Sequence, residues 1–311
     1  MFTEKNLIKL ILKSINKIIE KKLRINIFIL LLNYKNKFYL KFTRQFIKIG
    51  NYKLQAPSNH YLFLTKGSQP LRDKFIEVTA KFVSEKYPNC TFIDIGANIG
   101  DTAARMANNC ANKLILVEAD DFYFELLEEN SKQFINKIEL KKLFIGNGEQ
   151  ISGQFNYNEG NAWFETKTIN SKINTHLIKN ICKDNVSLIK IDIEGFDIES
   201  IISSIEWIKK QKPAIIFEIN SVSLSSNYLN EIDNFFDTLF KSNYERFIIW
   251  DDSGCKIISS KEKLQIMELC LYLRNNTINK DTRIYDLNVL ALNTIDDDIF
   301  LKINNDFNKI F

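Results

Sequence analysis

The chain has 311 residues, 45% of them hydrophobic and 26% charged, with 42 Lys+Arg against 38 Asp+Glu for a net charge of +4. That apolar content excludes a disordered chain and four prolines exclude a Pro-rich stalk, while the length suffices for one large core or two small ones. Five scattered cysteines with no CxxC, and only two histidines (His60 and His176), give no basis for a disulfide framework or a zinc site, so a reduced, intracellular chain with no metal is expected.

Charge is unevenly spread. Residues 1–55 hold 13 Lys+Arg and 2 acids, a net of +11 against +4 for the whole chain, which leaves −7 for the rest. Lys5, Lys9, Lys13, Lys17 and Lys21 recur every fourth residue, and Leu7, Ile8, Ile11, Leu12, Ile15, Ile18 and Ile19 fill the other side, a helical period. Such a helix either packs its aliphatic face on the body or lies on an anionic membrane. Nucleic-acid binding is disfavoured, because the arm has no arginine-rich or RNP-like pattern. The longest apolar run there, Ile27 to Leu32, is far shorter than the ~20 residues of a bilayer-spanning helix, and no signal-peptide cleavage pattern follows it. The division expected is therefore a basic amphipathic arm, 1–55, and a domain over 56–311, in a cytoplasmic protein with peripheral contact at the inner membrane face as the further expectation.

Next, Phe46–Ile49 and Tyr52–Leu54 flank Gly50-Asn51 and predict a small β-hairpin. His60 to Leu64 is expected to add a strand, and Leu71 to Lys86 a helix ended by Pro88-Asn89. From Thr91 the chain alternates. Strands are predicted at 91–95, 113–118, 138–145, 186–191, 214–219, 245–250 and 285–292, with helices at 101–109, 122–134, 198–208 and 228–241. This order predicts a parallel, doubly wound Rossmann-like α/β sheet with helices on both faces. Residues 151–168 break the rhythm and predict an inserted hairpin.

Thr91-Phe-Ile-Asp94-Ile-Gly96-Ala-Asn98-Ile-Gly100-Asp101 runs from a strand through a glycine turn into a helix, the place where doubly wound sheets bind ligands. Glu118 ends the second strand 22 positions after Gly96, where an acid accepts hydrogen bonds from ribose hydroxyls. A dinucleotide fingerprint would place glycine at Asn98, and Asp94 and Asp101 flank the loop, so a cationic adenosine ligand is favoured over NAD. S-adenosylmethionine fits that description. In the second signature, Lys190-Ile-Asp192-Ile-Glu194-Gly195, two acids reach the carboxyl end of the most apolar strand.

Together, Asp94-Ile-Gly-Ala-Asn-Ile-Gly100 and Lys190-Ile-Asp-Ile-Glu-Gly195 resemble the FkbM-type S-adenosylmethionine-dependent methyltransferases, and Lys212-Pro-Ala-Ile-Ile-Phe-Glu218 is similar to that family's following strand. The resemblance spans about 91 to 220. It implies a class I methyltransferase fold and O-methylation of a hydroxyl on a sugar, a glycan or glycolipid precursor, or a secondary metabolite. It makes Asp94, Gly96, Asn98, Gly100 and Glu118 cofactor-binding, together with Asp192, and sets Gly146-Asn147 near the adenine edge. Where the family often carries Thr-Leu-Asp, this chain has Thr168-Ile-Asn170, so no metal or base role is carried over to that position.

Methyl transfer to a hydroxyl needs the acceptor oxygen held in line and its proton removed. Asp192 and Glu194 are the candidate bases, with cofactor binding as the alternative role for each. His176 is either a base or a solvated loop residue, Glu218 an acceptor contact or a loop anchor, and Trp163 and Phe164 a sugar platform or core. An RNA methyltransferase using the basic arm, and a non-catalytic methyltransferase-fold binding module, remain open as other readings.

Overall fold

The computed structural model describes residues 44–65, 69–158, 161–166, 172–193, 195–220, 228–278 and 286–307. The expected lysine-striped helix lies outside the described residues. The predicted hairpin is present as β1 (Arg44–Ile49) and β2 (Tyr52–Pro57), joined at Gly50-Asn51. Gly50 has φ 55°, the left-handed conformation such a turn requires. Ile47, Ile49, Tyr52, Leu54 and Ala56 are buried in the main core, so β2 crosses position 55 as part of the body.

The stretch expected as a strand at 60–64 is instead a short helix, α1 (Tyr61–Thr65). Pro57 and His60 carbonyls accept from His60 and Phe63 N–H and curl the chain, which overrides the β preference of Tyr-Leu-Phe-Leu. Then follow α2 (Lys74–Lys86), β3 (Thr91–Ile95), α3 (Asp101–Asn109), β4 (Lys113–Val117) and α4 (Asp121–Ser131). The single strand expected over 138–145 is two, β5 (Ile138–Lys141) and β6 (Phe144–Ile145). Only β5 joins the central sheet; β6 turns away into a second sheet with β7 (Gln150–Asn158), β8 (Asn161–Thr166) and β9 (Lys172–His176). The predicted inserted hairpin is β7–β8.

After β10 (Val186–Ile191), the helix expected over 198–208 is broken at Ser204 into α5 (Asp197–Ser203) and α6 (Ile205–Gln211). The Ser204 hydroxyl accepts from Ile178 N–H, fixing the break against the loop before β10. The remaining elements are β11 (Ala214–Asn220), α7 (Tyr228–Phe240), β12 (Tyr244–Asp251), β13 (Lys256–Ser260), α8 (Lys263–Ile278), β14 (Asp286–Asn293) and α9 (Asp297–Phe307).

The main sheet has eight strands in the order β13-β12-β14-β11-β10-β3-β4-β5. It is mixed, not parallel throughout. The run from β11 to β5 is parallel, whereas β14 enters antiparallel between β11 and β12, and β13 pairs antiparallel with β12. Side chains alternate between two layers. Phe92, Leu114, Leu116, Leu188 and Ile216 pack with α2, α3, α4 and α9, while Ile93, Ile115, Ile189, Ile215 and Phe217 pack with α5, α6, α7 and α8. Strands covered on both faces read as unbroken apolar runs, and β3 and β10 are buried at every position. This is the doubly wound α/β class expected from the sequence, and it leaves the carboxyl ends of β3, β4, β10 and β11 open at one edge.

Candidate functional site

The turn after β3 is built on positive φ angles at Gly96 (77°), Asn98 (46°) and Gly100 (87°). A Cβ on Gly96 would lie 1.9 Å from the Asp192 carbonyl oxygen, so the turns after β3 and β10 touch through a space only hydrogen fills. Asp192 N–H donates to the Ile95 carbonyl and ties the two turns together. Gly100 precedes α3 and packs against Leu127 and Phe134, supporting the turn from behind.

Glu118, at the end of β4, is buried and accepts three backbone N–H bonds of 2.8 Å, from Asn98, Ala119 and Asp120. Burial pushes its carboxyl up to about 7, against the pull of those N–H groups. It therefore sets the loop's shape as well as facing the cleft. Asp120 accepts from Phe122 and Tyr123 N–H as the cap of α4, and the Tyr157 hydroxyl donates to it at 2.6 Å. That last bond fastens β7 of the inserted hairpin to the loop carrying Glu118.

Asp94 and Lys190 are register partners on β3 and β10. Lys190 Nζ lies 3.1 Å from Asp192 Oδ2 and 3.6 Å from Asp94 Oδ1. The two shifts run in opposite directions. Burial raises Asp94 to about 6 despite the lysine, whereas Asp192 and Asp94 outweigh burial at Lys190 and hold it above the usual lysine range. Asp94 is wholly buried, and neither of its oxygens has a hydrogen-bond partner. Asp197, at the start of α5, accepts from Ile193 N–H and Glu218 N–H and staples the turn after β10 to β11; burial and the Asp192 charge raise it to about 8.

Of these groups, Gly96, Asn98, Glu118, Lys190 and Asp192 line one cleft, while Asp94 is buried beside Lys190, outside that lining. One end of the cleft is apolar. There Phe144 packs edge-on against Phe164 (5.0 Å between centroids), with Phe155 5.4 Å from Phe164. The other end is charged and holds Tyr61, Arg72, Asp101, Glu218 and Asp286.

The remaining expected residues divide between the cleft wall and its surroundings. Asn147 donates to Glu199 and accepts from Glu149 N–H outside the cleft wall, which Leu143, Phe144 and Ile145 form instead. Glu194 lies outside the described residues. His176 closes β9 beside Ile145, away from the cleft lining. Phe164 and its register partner Phe155 line the apolar end of the cleft, and Trp163, the preceding residue of β8, lines it too.

Sequence reasoning missed Tyr61, Arg72 and Asp286. Tyr61 donates to Asp101 at 2.9 Å, and its ring carries the Arg72 guanidinium at 4.6 Å. Asp286 begins β14 opposite Asn220, and its Oδ1 is buried without a partner; burial, Asp252 and Asp192 raise its carboxyl. None of the three belongs to a local motif. Only the antiparallel entry of β14 and the loop before α2 bring them to the edge.

Residues 94–246 match the family model of the methyltransferase FkbM domain. No curated protein matches the chain by sequence. Among solved structures, the chain is similar to an FkbM methyltransferase from Methylobacillus flagellatus KT at 14% identity and a TM-score of 0.39. That match covers 65% of this chain and 43% of the other, less than half its length. It is also similar to an O-methyltransferase from Bacillus cereus in complex with SAH (12% identity, TM-score 0.40, covering 75% of this chain and 88% of that one). A third similar structure is M. jannaschii TYW2 in complex with AdoMet (10% identity, TM-score 0.40, covering 80% and 85%).

Proposed function

We propose that this FkbM-domain chain is an S-adenosylmethionine-dependent O-methyltransferase acting on a hydroxyl of a sugar, a glycan or glycolipid precursor, or a secondary metabolite. The observation that carries the reading is Asp94. A buried carboxylate with no hydrogen-bond partner is costly, and this one lies on β3 two residues before the glycine turn, paired with Lys190, which lines the cleft where doubly wound sheets hold their ligands. The donor set fits the cofactor along the cleft. Phe144, Phe155 and Phe164 suit an adenine ring, Glu118 has lone pairs left for ribose hydroxyls, and the acidic wall of Asp101, Asp192 and Asp286 suits a cationic ligand.

Bound there, the cofactor supplies an electrophilic methyl group on a positively charged sulfur. The chain's own residues hold the acceptor and take its proton. Asp192, 43% exposed at its side chain and in the cleft wall, is the assigned base, with Glu194 two positions on as the other candidate. Lys190 at 3.1 Å fixes the orientation of the Asp192 carboxylate.

The test is methyl transfer from radiolabelled S-adenosylmethionine to a panel of nucleotide sugars, lipid-linked sugars and polyketide alcohols, with the product located by mass spectrometry. Label on an acceptor oxygen, lost in Asp192→Asn, supports the reading. Label on nitrogen or carbon, or transfer unaffected by both Asp192→Asn and Glu194→Gln, contradicts it.

A further inference from the structure

The charged end of the cleft contains an arginine with an unusual set of neighbours. Arg72 lines the cleft beside Asp101, Asp192, Glu218 and Asp286, all acids. Its guanidinium lies on the Tyr61 ring and donates from Nη1 to Gln69 Oε1 at 2.9 Å; its Nε is buried with no partner. Among the described residues, no carboxylate comes within 4.0 Å of it. The other cations nearby are committed: Lys190 to Asp192 and Asp94, and Arg105 to Asp73 and Glu77.

We propose that Arg72 is the carboxylate anchor of the cleft, binding the amino-acid end of the cofactor while Asp286 faces that end's ammonium group. The inference rests on the S-adenosylmethionine reading above and assigns the residues that hold its amino-acid half. An α-amino acid presents one anion and one cation a bond or two apart. A wall of carboxylates alone repels the first, and Arg72 is the lining cation left to receive it. A guanidinium pairs with a carboxylate through two parallel N–H bonds, and here it is already held over the Tyr61 ring and by Gln69, so little side-chain freedom is lost on binding. Tyr61 is itself held by its bond to Asp101, which begins the helix after the glycine turn. The anchor and the turn are thus one unit. The acids at Asp252 and Asp286 are both raised from their ordinary values, chiefly by burial, which leaves the guanidinium less compensated than a count of carboxylates implies.

The test uses calorimetry on the full chain with two probes: S-adenosylhomocysteine, which carries the amino-acid end, and 5′-methylthioadenosine, which lacks it. Arg72→Met is expected to weaken S-adenosylhomocysteine tenfold or more and to leave 5′-methylthioadenosine within twofold; Arg72→Lys should recover part of the loss. Equal weakening of both probes would reduce Arg72 to a packing role, and no weakening of either would assign its charge to the acceptor or to general balance. Either result overturns the proposal. Should Arg72→Met fail to fold, the decarboxylated analogue of S-adenosylhomocysteine tests the same contact on the unaltered protein. It is expected to bind at least tenfold more weakly, and equal affinity overturns the assignment. Failure of the underlying reading looks different, since then neither probe binds the unaltered protein.

Discussion

Replacing Asp94 by asparagine should make the protein more stable and at the same time unable to hold its cofactor. Burial raises the Asp94 carboxyl from 3.8 to about 6, so its ionised form is disfavoured in the folded state even with Lys190 at 3.6 Å. At about 1.4 kcal/mol per pH unit, keeping this group charged costs the fold roughly 3 kcal/mol at neutral pH. The sign follows from proton counting. Between about pH 4 and pH 6 the folded protein binds more protons at Asp94 than the unfolded chain does, so stability falls as pH rises through that window and is flat above it.

Asparagine has the same shape and no charge. It removes that cost, which is already net of the attraction to Lys190, and Lys190 keeps Asp192 at 3.1 Å, so a gain of about 1–3 kcal/mol remains. At roughly 2–4 °C per kcal/mol for a domain of this size, Asp94→Asn should melt several degrees higher at pH 7.5. Calorimetric melting from pH 4.5 to 8 is the assay. The difference should shrink towards pH 4.5 and reach a plateau above pH 6.5, and the variant should gain no further stability from S-adenosylmethionine. A variant less stable than the parent at pH 7.5, or a difference independent of pH, would refute this electrostatic reasoning.

Gly96→Ala places a Cβ 1.9 Å from the Asp192 carbonyl at a φ of 77°, so it should cost at least about 2 kcal/mol and abolish cofactor binding, seen as a lower Tm and a flat titration. A ligand donating to Glu118 favours its ionised form, so cofactor affinity should rise as pH passes through about 7, and this rise should be absent in Glu118→Gln. The basic arm should bring the protein to anionic vesicles. The informative deletion is 1–43, because removing residues up to 55 would take β1 and part of β2 out of the core. Equal vesicle binding by the full chain and the deletion would show that the arm has no such role.

The sequence was most readable where a strand is buried on both faces and ends in a turn with its own chemistry. β3 and α3 occupy the residues expected of them, as does β10, because unbroken apolar runs and the glycine turn leave one local solution. The Gly96, Asn98, Glu118 and Asp192 grouping was legible for the same reason: every one of these residues lies at a strand end in a doubly wound sheet. Long-range topology was not legible. Nothing local in Asp286–Asn293 says that β14 runs antiparallel between β11 and β12, so Asp286 gave no sign of reaching the cleft. Helix α8 escaped because it carries no amphipathic stripe, exposing Leu264, Leu271 and Tyr272 while burying Ile266, Cys270 and Leu273. Asn147 followed the expected position along the chain, but its side chain turned to Glu199, an i-to-distant contact that no spacing rule anticipates.

The most direct measurement is a calorimetric titration of the full chain with S-adenosylmethionine, run beside Asp94→Asn as a folded control. Saturable one-to-one binding to the parent, absent from the more stable variant, is the expected result and ties the cofactor to the buried carboxylate. Absence of binding to the folded parent, or equal binding by both proteins, would contradict the assignment of this cleft.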